Sequence, residues 1–166
     1  MKKYIYTALI ILSNIQLFCQ EFELPEKYEF KEKQDYVDYE EDVIKAIDWI
    51  FATPIHSNKE KEKAVHGFII SWITGSPTVT VEIKPEIVTF METNPELMVI
   101  FMYGWTKYAI EYKENNKIQG NMKGIEAAID FYNANKNALE KDKNLEKYIK
   151  IKERGELEEY VTKVVK

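Results

Sequence analysis

Only a few side chains in this sequence are spaced for acid–base chemistry. His66 follows Glu62 by four residues, a spacing that brings two side chains to the same face of a helix. Glu82 and Glu111 are the carboxylates most embedded in apolar sequence, where burial raises a pKa toward the range of a general acid. His66, Glu82 and Glu111 are therefore the candidates for the catalytic groups of a small hydrolase, if the fold brings them together.

The sequence has none of the usual patterns for metal, cofactor or nucleophile sites. His56 and His66 are not spaced with the additional acids or cysteines that a zinc site requires. No serine lies in a Gly-x-Ser-x-Gly motif, and the glycines form neither a phosphate-binding loop nor a dinucleotide fingerprint. We therefore predict no metal ligand and no cofactor.

A mixed aromatic and polar set interrupts the most apolar stretches of the chain. Polar groups that break an otherwise apolar core are where a ligand pocket most readily opens. Six residues of this set are candidates for binding a ligand or partner: Trp72, Ser76, Thr80, Tyr103, Trp105 and Lys107. The opposing interpretation is that aromatic residues at helical spacing simply fill the core.

The element that must position most of these side chains is the segment NPELMVIFMYGWTKYAIEYK. Asn94 can cap a helix with its side chain, and Pro95 suits the first helical position, where its missing N–H would have no partner. Apolar residues cover every side of this helix, which is typical of a helix buried on most of its surface. Because Lys107 would be costly in a bilayer, we predict a central core helix over residues 95–113.

The remaining pattern predicts a single all-α domain in which five or six helices pack around residues 95–113. Only one run resembles a strand: Val79, Val81 and Ile83 alternate with polar residues. No second strand is available to pair with it, so residues 77–83 are predicted to form an extended strap. The backbone of this strap could accept a strand from a partner.

Another feature of the pattern predicts close helix packing. Gly120, Gly124 and Ala128 recur every four residues beside the apolar seam of an amphipathic helix. Such a strip of small residues allows a second helix to approach closely.

The first residues resemble a secretory signal peptide, predicted over residues 1–19. Two lysines precede an apolar run at residues 5–12, which is too short to span a membrane. We expect cleavage that leaves Gln20 as the first residue, followed by export to the periplasm or secretion. The alternative is a lipoprotein anchored through Cys19, although the bulky Phe18 is a poor match to the usual lipid-attachment site.

Charge divides the rest of the chain into two parts. Residues 20–42 contain ten acids and three bases, a net charge of −7, whereas residues 43–166 contain eighteen of each. The sequence therefore predicts an acidic, loosely ordered arm at residues 20–37 and a helical domain at residues 38–166. Since neither part is basic, nucleic acid is not an expected partner. No membrane span is expected in the mature chain.

Two classes of function remain open from the sequence. We favour a non-enzymatic binding protein whose partner is an unknown protein or small ligand, over a small hydrolase. The fold should distinguish them, because catalysis requires His66, Glu82 and Glu111 to converge in one pocket. Recognition by an aromatic anchor instead requires Trp105 to lie open beside the strap.

Overall fold

A computed structural model of the chain describes residues 22–166, so the predicted signal peptide and Cys19 lie outside the described residues. Within this range the protein is all-α, as predicted, with no β-strand. It forms one short 3₁₀-helix, Thr89–Glu92, and seven α-helices: α1 (Lys33–Asp38), α2 (Glu40–Ala52), α3 (Lys59–Gly75), α4 (Glu96–Tyr112), α5 (Lys117–Ala134), α6 (Lys143–Glu153) and α7 (Leu157–Val165). This architecture is roughly the predicted bundle of five or six helices, with short α1 added in the acidic arm.

Helix α4 is the central element, within one residue of the predicted bounds at each end. Ten of its 17 residues are buried, and it packs against α2, α5 and the 3₁₀-helix. Burial on so many sides follows from the apolar residues that surround the helix. The residue after the helix, Lys113, has a left-handed backbone (φ 53°). The backbone N–H at this cap donates to the Ala109 carbonyl and closes the last turn.

The expected cap of α4 by Asn94 is wrong. Asn94 is buried, and its side chain instead joins the loop before α6. Its Nδ2 donates to the Glu140 carbonyl at 3.0 Å, while its Oδ1 accepts from the Glu140 N–H at 2.9 Å. The amide thus pairs with both backbone groups of one residue, and a buried amide is satisfied better by two partners than by one.

Two residues of the small-residue strip on α5, Gly120 and Gly124, lie against α4, which agrees with the predicted close approach of another helix. A Cβ added at Gly120 would lie 2.3 Å from Cε2 of Trp105, and one at Gly124 would lie 2.5 Å from Cδ2 of Phe101. Both distances are far below van der Waals contact. The aromatic rings of α4 therefore occupy the space that side chains on the strip would need.

The strap at residues 77–83 contains neither helix nor strand. Val79 is buried, whereas Thr80 is exposed. The side chain of Asn115 donates to the Thr78 carbonyl at 2.8 Å and accepts from the Thr80 N–H at 3.4 Å. Part of the backbone that a partner strand would pair with is therefore already held by this amide.

The described part of the acidic arm contacts the helices through its aromatic residues. Phe22 is buried. The rings of Tyr28 and Phe30 lie 4.9 and 5.9 Å from that of Phe68 on α3, distances typical of packed aromatic pairs. The loose order expected for residues 20–37 stays a prediction. These contacts favour a docked arm over a loose one.

Candidate functional site

The candidate site is a cavity of about 210 Å³ formed by the end of α2, the following loop, and helices α3, α4 and α5. Six apolar side chains provide most of its wall: Ile50, Ile55, Ile70, Val99, Ile100 and Phe131. The polar lining consists of Thr53, Glu62, His66 and Glu96. An apolar cavity with a few polar groups is the usual form of a small-molecule site.

His66 is held at the cavity by a hydrogen bond to Tyr103. Its Nδ1 lies 2.7 Å from the Tyr103 hydroxyl, and the two rings stack with centroids 5.6 Å apart. Burial raises the pKa of Tyr103 well above its usual range, so the phenol keeps its proton. Burial also lowers the pKa of His66, with partial opposition from the negative charge of Glu62, which favours a neutral imidazole.

This hydrogen bond determines which nitrogen of His66 carries the hydrogen. Tyr103 is fully buried, and within the described residues its hydroxyl makes no other hydrogen bond. If Nδ1 donated, the phenol proton would be buried without an acceptor, at a cost of about 1–3 kcal/mol. The phenol therefore donates to Nδ1, and Nε2 carries the hydrogen of the neutral ring. His66 lines the cavity, and in this tautomer the nitrogen that Tyr103 does not engage is a hydrogen-bond donor.

Two glutamates add negative charge to the same cavity. Glu62 also supports the loop before α3, since its carboxylate accepts from the backbone N–H groups of His56 and Asn58, both at 3.1 Å. Glu96 lies in the first turn of α4, where the helix dipole favours an acid. In residues 22–166, neither glutamate has a lysine or arginine nitrogen within 4.0 Å.

The three predicted catalytic residues do not converge. Glu82 lies on the strap and forms an ion pair with Lys117. Glu111 lies near the end of α4, pairs with Lys107 at 3.7 Å, and borders a separate groove of about 430 Å³. Only His66 lines the apolar cavity. The glutamates that accompany it, at positions 62 and 96, are not the two that the sequence suggested.

Neither candidate tryptophan is available as a surface anchor. Trp72 is fully buried and donates from Nε1 to the Tyr36 carbonyl at 2.8 Å. Trp105 is also buried and lies over Gly120, so it does not open beside the strap. The core interpretation of these aromatic residues is therefore the one that the fold supports.

The other three binding candidates lie outside the cavity. Ser76 accepts hydrogen bonds at 3.3 and 3.2 Å from two backbone N–H groups that follow it, which stabilises the turn after α3. Thr80 lies exposed on the strap beside Asn115. Lys107 bonds to Asp48 on α2 and borders the larger groove. Of the six candidates, Tyr103 alone acts at the cavity, through His66.

Comparison of the chain with protein-family models, with curated proteins and with solved structures gave no match. In the part of the chain that the structure describes, no three His, Cys, Asp or Glu side chains are grouped to hold a metal ion. No helix between residues 22 and 166 is both long and apolar enough to cross a membrane.

Proposed function

We propose that this protein binds a small, largely apolar molecule in the cavity beside His66. The observation that carries the proposal is the combination of apolar walls with one histidine, His66, whose Nε2–H is not engaged by its bond to Tyr103. A volume of about 210 Å³ equals the space of roughly seven water molecules at ~30 Å³ each. The ligand that fits is about the size of one six-membered ring with a short substituent.

The lining of the cavity supports binding over hydrolysis. A hydrolase would need a base and a nucleophile, or a base and an activated water, at the same point. In the tautomer favoured for His66, the nitrogen that Tyr103 does not engage carries a hydrogen. It therefore has no lone pair with which to act as a general base. The one hydroxyl of the lining, that of Thr53, already donates to the Trp49 carbonyl at 2.6 Å.

Benzyl alcohol is a suitable first probe, because it combines an apolar ring with an oxygen that can accept from His66. We expect saturable chemical-shift changes at the isoleucine methyl groups of the cavity when benzyl alcohol is titrated and followed by methyl NMR. Val99→Phe should abolish saturable binding, since the larger ring fills the cavity from α4. The matched change Met91→Phe, on an exposed residue outside the cavity, should leave binding intact.

Binding that survives Val99→Phe, or shifts confined to another surface, would contradict the proposed site. Circular dichroism of both variants should first establish that they retain the helical fold, so that lost binding reports the filled cavity.

We also propose that the protein is exported, as a periplasmic or secreted protein. The support is the sequence pattern of residues 1–19, in which two lysines precede a short apolar run. Mass spectrometry of the protein recovered from expressing cells should find Gln20 as the first residue. A lipid-modified Cys19 would make it an anchored lipoprotein, and an intact Met1 in all fractions would contradict export.

A further inference from the structure

We propose that the ligand is a small aromatic primary amine, with its ammonium group bound by the carboxylates that line the cavity, Glu62 and Glu96, and its ring against the apolar wall. This inference rests on the proposed binding function and adds the charge class of the ligand.

The first support is the charge of the cavity. Glu62 and Glu96 both line it, and no lysine or arginine pairs with either one in the part of the chain that the structure describes. Lys61, which directly precedes Glu62 in the chain, lies over the ring of Trp49, with its Nζ 5.1 Å from the ring centroid. Neutral His66 does not offset the two negative charges. A cationic ligand is therefore favoured over a neutral or anionic one.

The second support is hydrogen-bonding capacity. An ammonium group has three donors and no acceptor, which matches carboxylates. Glu62 uses each of its oxygens for one backbone N–H, and a carboxylate oxygen can accept a second hydrogen bond. Glu96 lines the cavity and forms no ion pair within residues 22–166, so its oxygens can accept from the ligand.

The third support is the hydrogen-bonding character of His66. The Nε2–H of His66 cannot bond to an ammonium group, because both groups are donors. An aromatic ring, however, accepts an N–H at its electron-rich face. The ring of the ligand would therefore contact His66 and the isoleucines, while its ammonium group bonds to the carboxylates of Glu62 and Glu96.

The test compares benzylamine, protonated at pH 7, with benzyl alcohol, which has the same shape and no charge. Benzylamine should bind about tenfold more tightly to the native protein, since hydrogen bonds to charged groups are stronger than neutral ones. Glu96→Gln keeps the side-chain volume and removes the charge, so it should weaken benzylamine about tenfold and leave benzyl alcohol unchanged. Glu92→Gln, on an exposed residue outside the cavity, is the matched control and should change neither affinity.

The outcomes separate this inference from the function on which it rests. Equal or weaker binding of benzylamine, with saturable binding of benzyl alcohol, would overturn the amine proposal and leave the binding site standing. Tighter binding of benzylamine that is insensitive to Glu96→Gln and to Glu62→Gln would also overturn it. Failure of both probes to bind would reject the cavity as the functional site.

Discussion

Gly104→Ala should lower the free energy of unfolding by about 2–3 kcal/mol, through forced separation of α4 and α5. A Cβ at Gly104 would lie 2.6 Å from the backbone oxygen of Lys123 and 2.6 Å from Cβ of Ala127. A backbone oxygen cannot rotate away, so the two helices must shift. The shift would disturb the largest helix–helix contact of the fold, and the higher helix propensity of alanine offsets at most about 1 kcal/mol of the loss.

Gly67→Ala is the matched control for this prediction. Gly67 also lies within a helix, but it is exposed and no atom lies within 4 Å of the position its Cβ would take. Alanine at that position should stabilise the protein by about 0.5–1 kcal/mol, because glycine is the poorer helix former. Urea unfolding of both variants measures the difference. A Gly104→Ala protein as stable as the native one would contradict the close approach of α4 and α5.

Asp142→Ala should lower the free energy of unfolding by about 3 kcal/mol. Asp142 is fully buried and caps α6, where its Oδ1 accepts from the N–H groups of Asn144 and Leu145 at 2.9 and 3.0 Å. Its Oδ2 also accepts from Asn94 at 3.4 Å. Alanine would leave the buried N–H of Leu145 without its acceptor and would remove one partner each from Asn144 and Asn94, and an unsatisfied buried group is expensive.

Asn116→Ala provides the comparison that isolates burial. Asn116 caps α5 through the same pattern, accepting from the N–H groups of Ile118 and Gln119 at 3.1 and 3.2 Å, but it is exposed. Water can replace this cap, so the expected loss is about 1 kcal/mol. Equal losses in the two variants would show that the network around Asp142 adds nothing beyond an ordinary helix cap.

The central helix and its contact with α5 follow from local patterns in the sequence. Apolar residues on every side of α4 require burial wherever the helix is placed, which is why residues 95–113 could be identified as the core. The strip of small residues on α5 predicts close approach by another helix, and its glycines at positions 120 and 124 lie against the aromatic rings of α4. Both predictions depend only on the spacing of residues within one helix, and this spacing can be read directly from the sequence.

The site depends on contacts between residues that lie far apart in the chain. The sequence contains no pattern that predicts these contacts. Tyr103 lies 37 positions from His66, and nothing in the spacing of either residue indicates the hydrogen bond between them. Glu96 carries only the signal of an acid at a helix start, which is explained by the helix dipole alone. Trp105 shows the opposite situation. The apolar pattern of its helix predicted burial, which is what the structure has, and only the chemistry of tryptophan suggested a surface anchor.

We expect His66 to face the cavity as a neutral hydrogen-bond donor. A long-range ¹H–¹⁵N correlation spectrum of the histidine rings tests it directly, with the signals of His66 assigned by their loss in His66→Gln. At pH 7.5, above the lowered pKa of this residue, we expect a hydrogen on Nε2 and an acceptor nitrogen at Nδ1. The opposite tautomer, with the hydrogen on Nδ1, would contradict it and would give the cavity the base that a hydrolase needs.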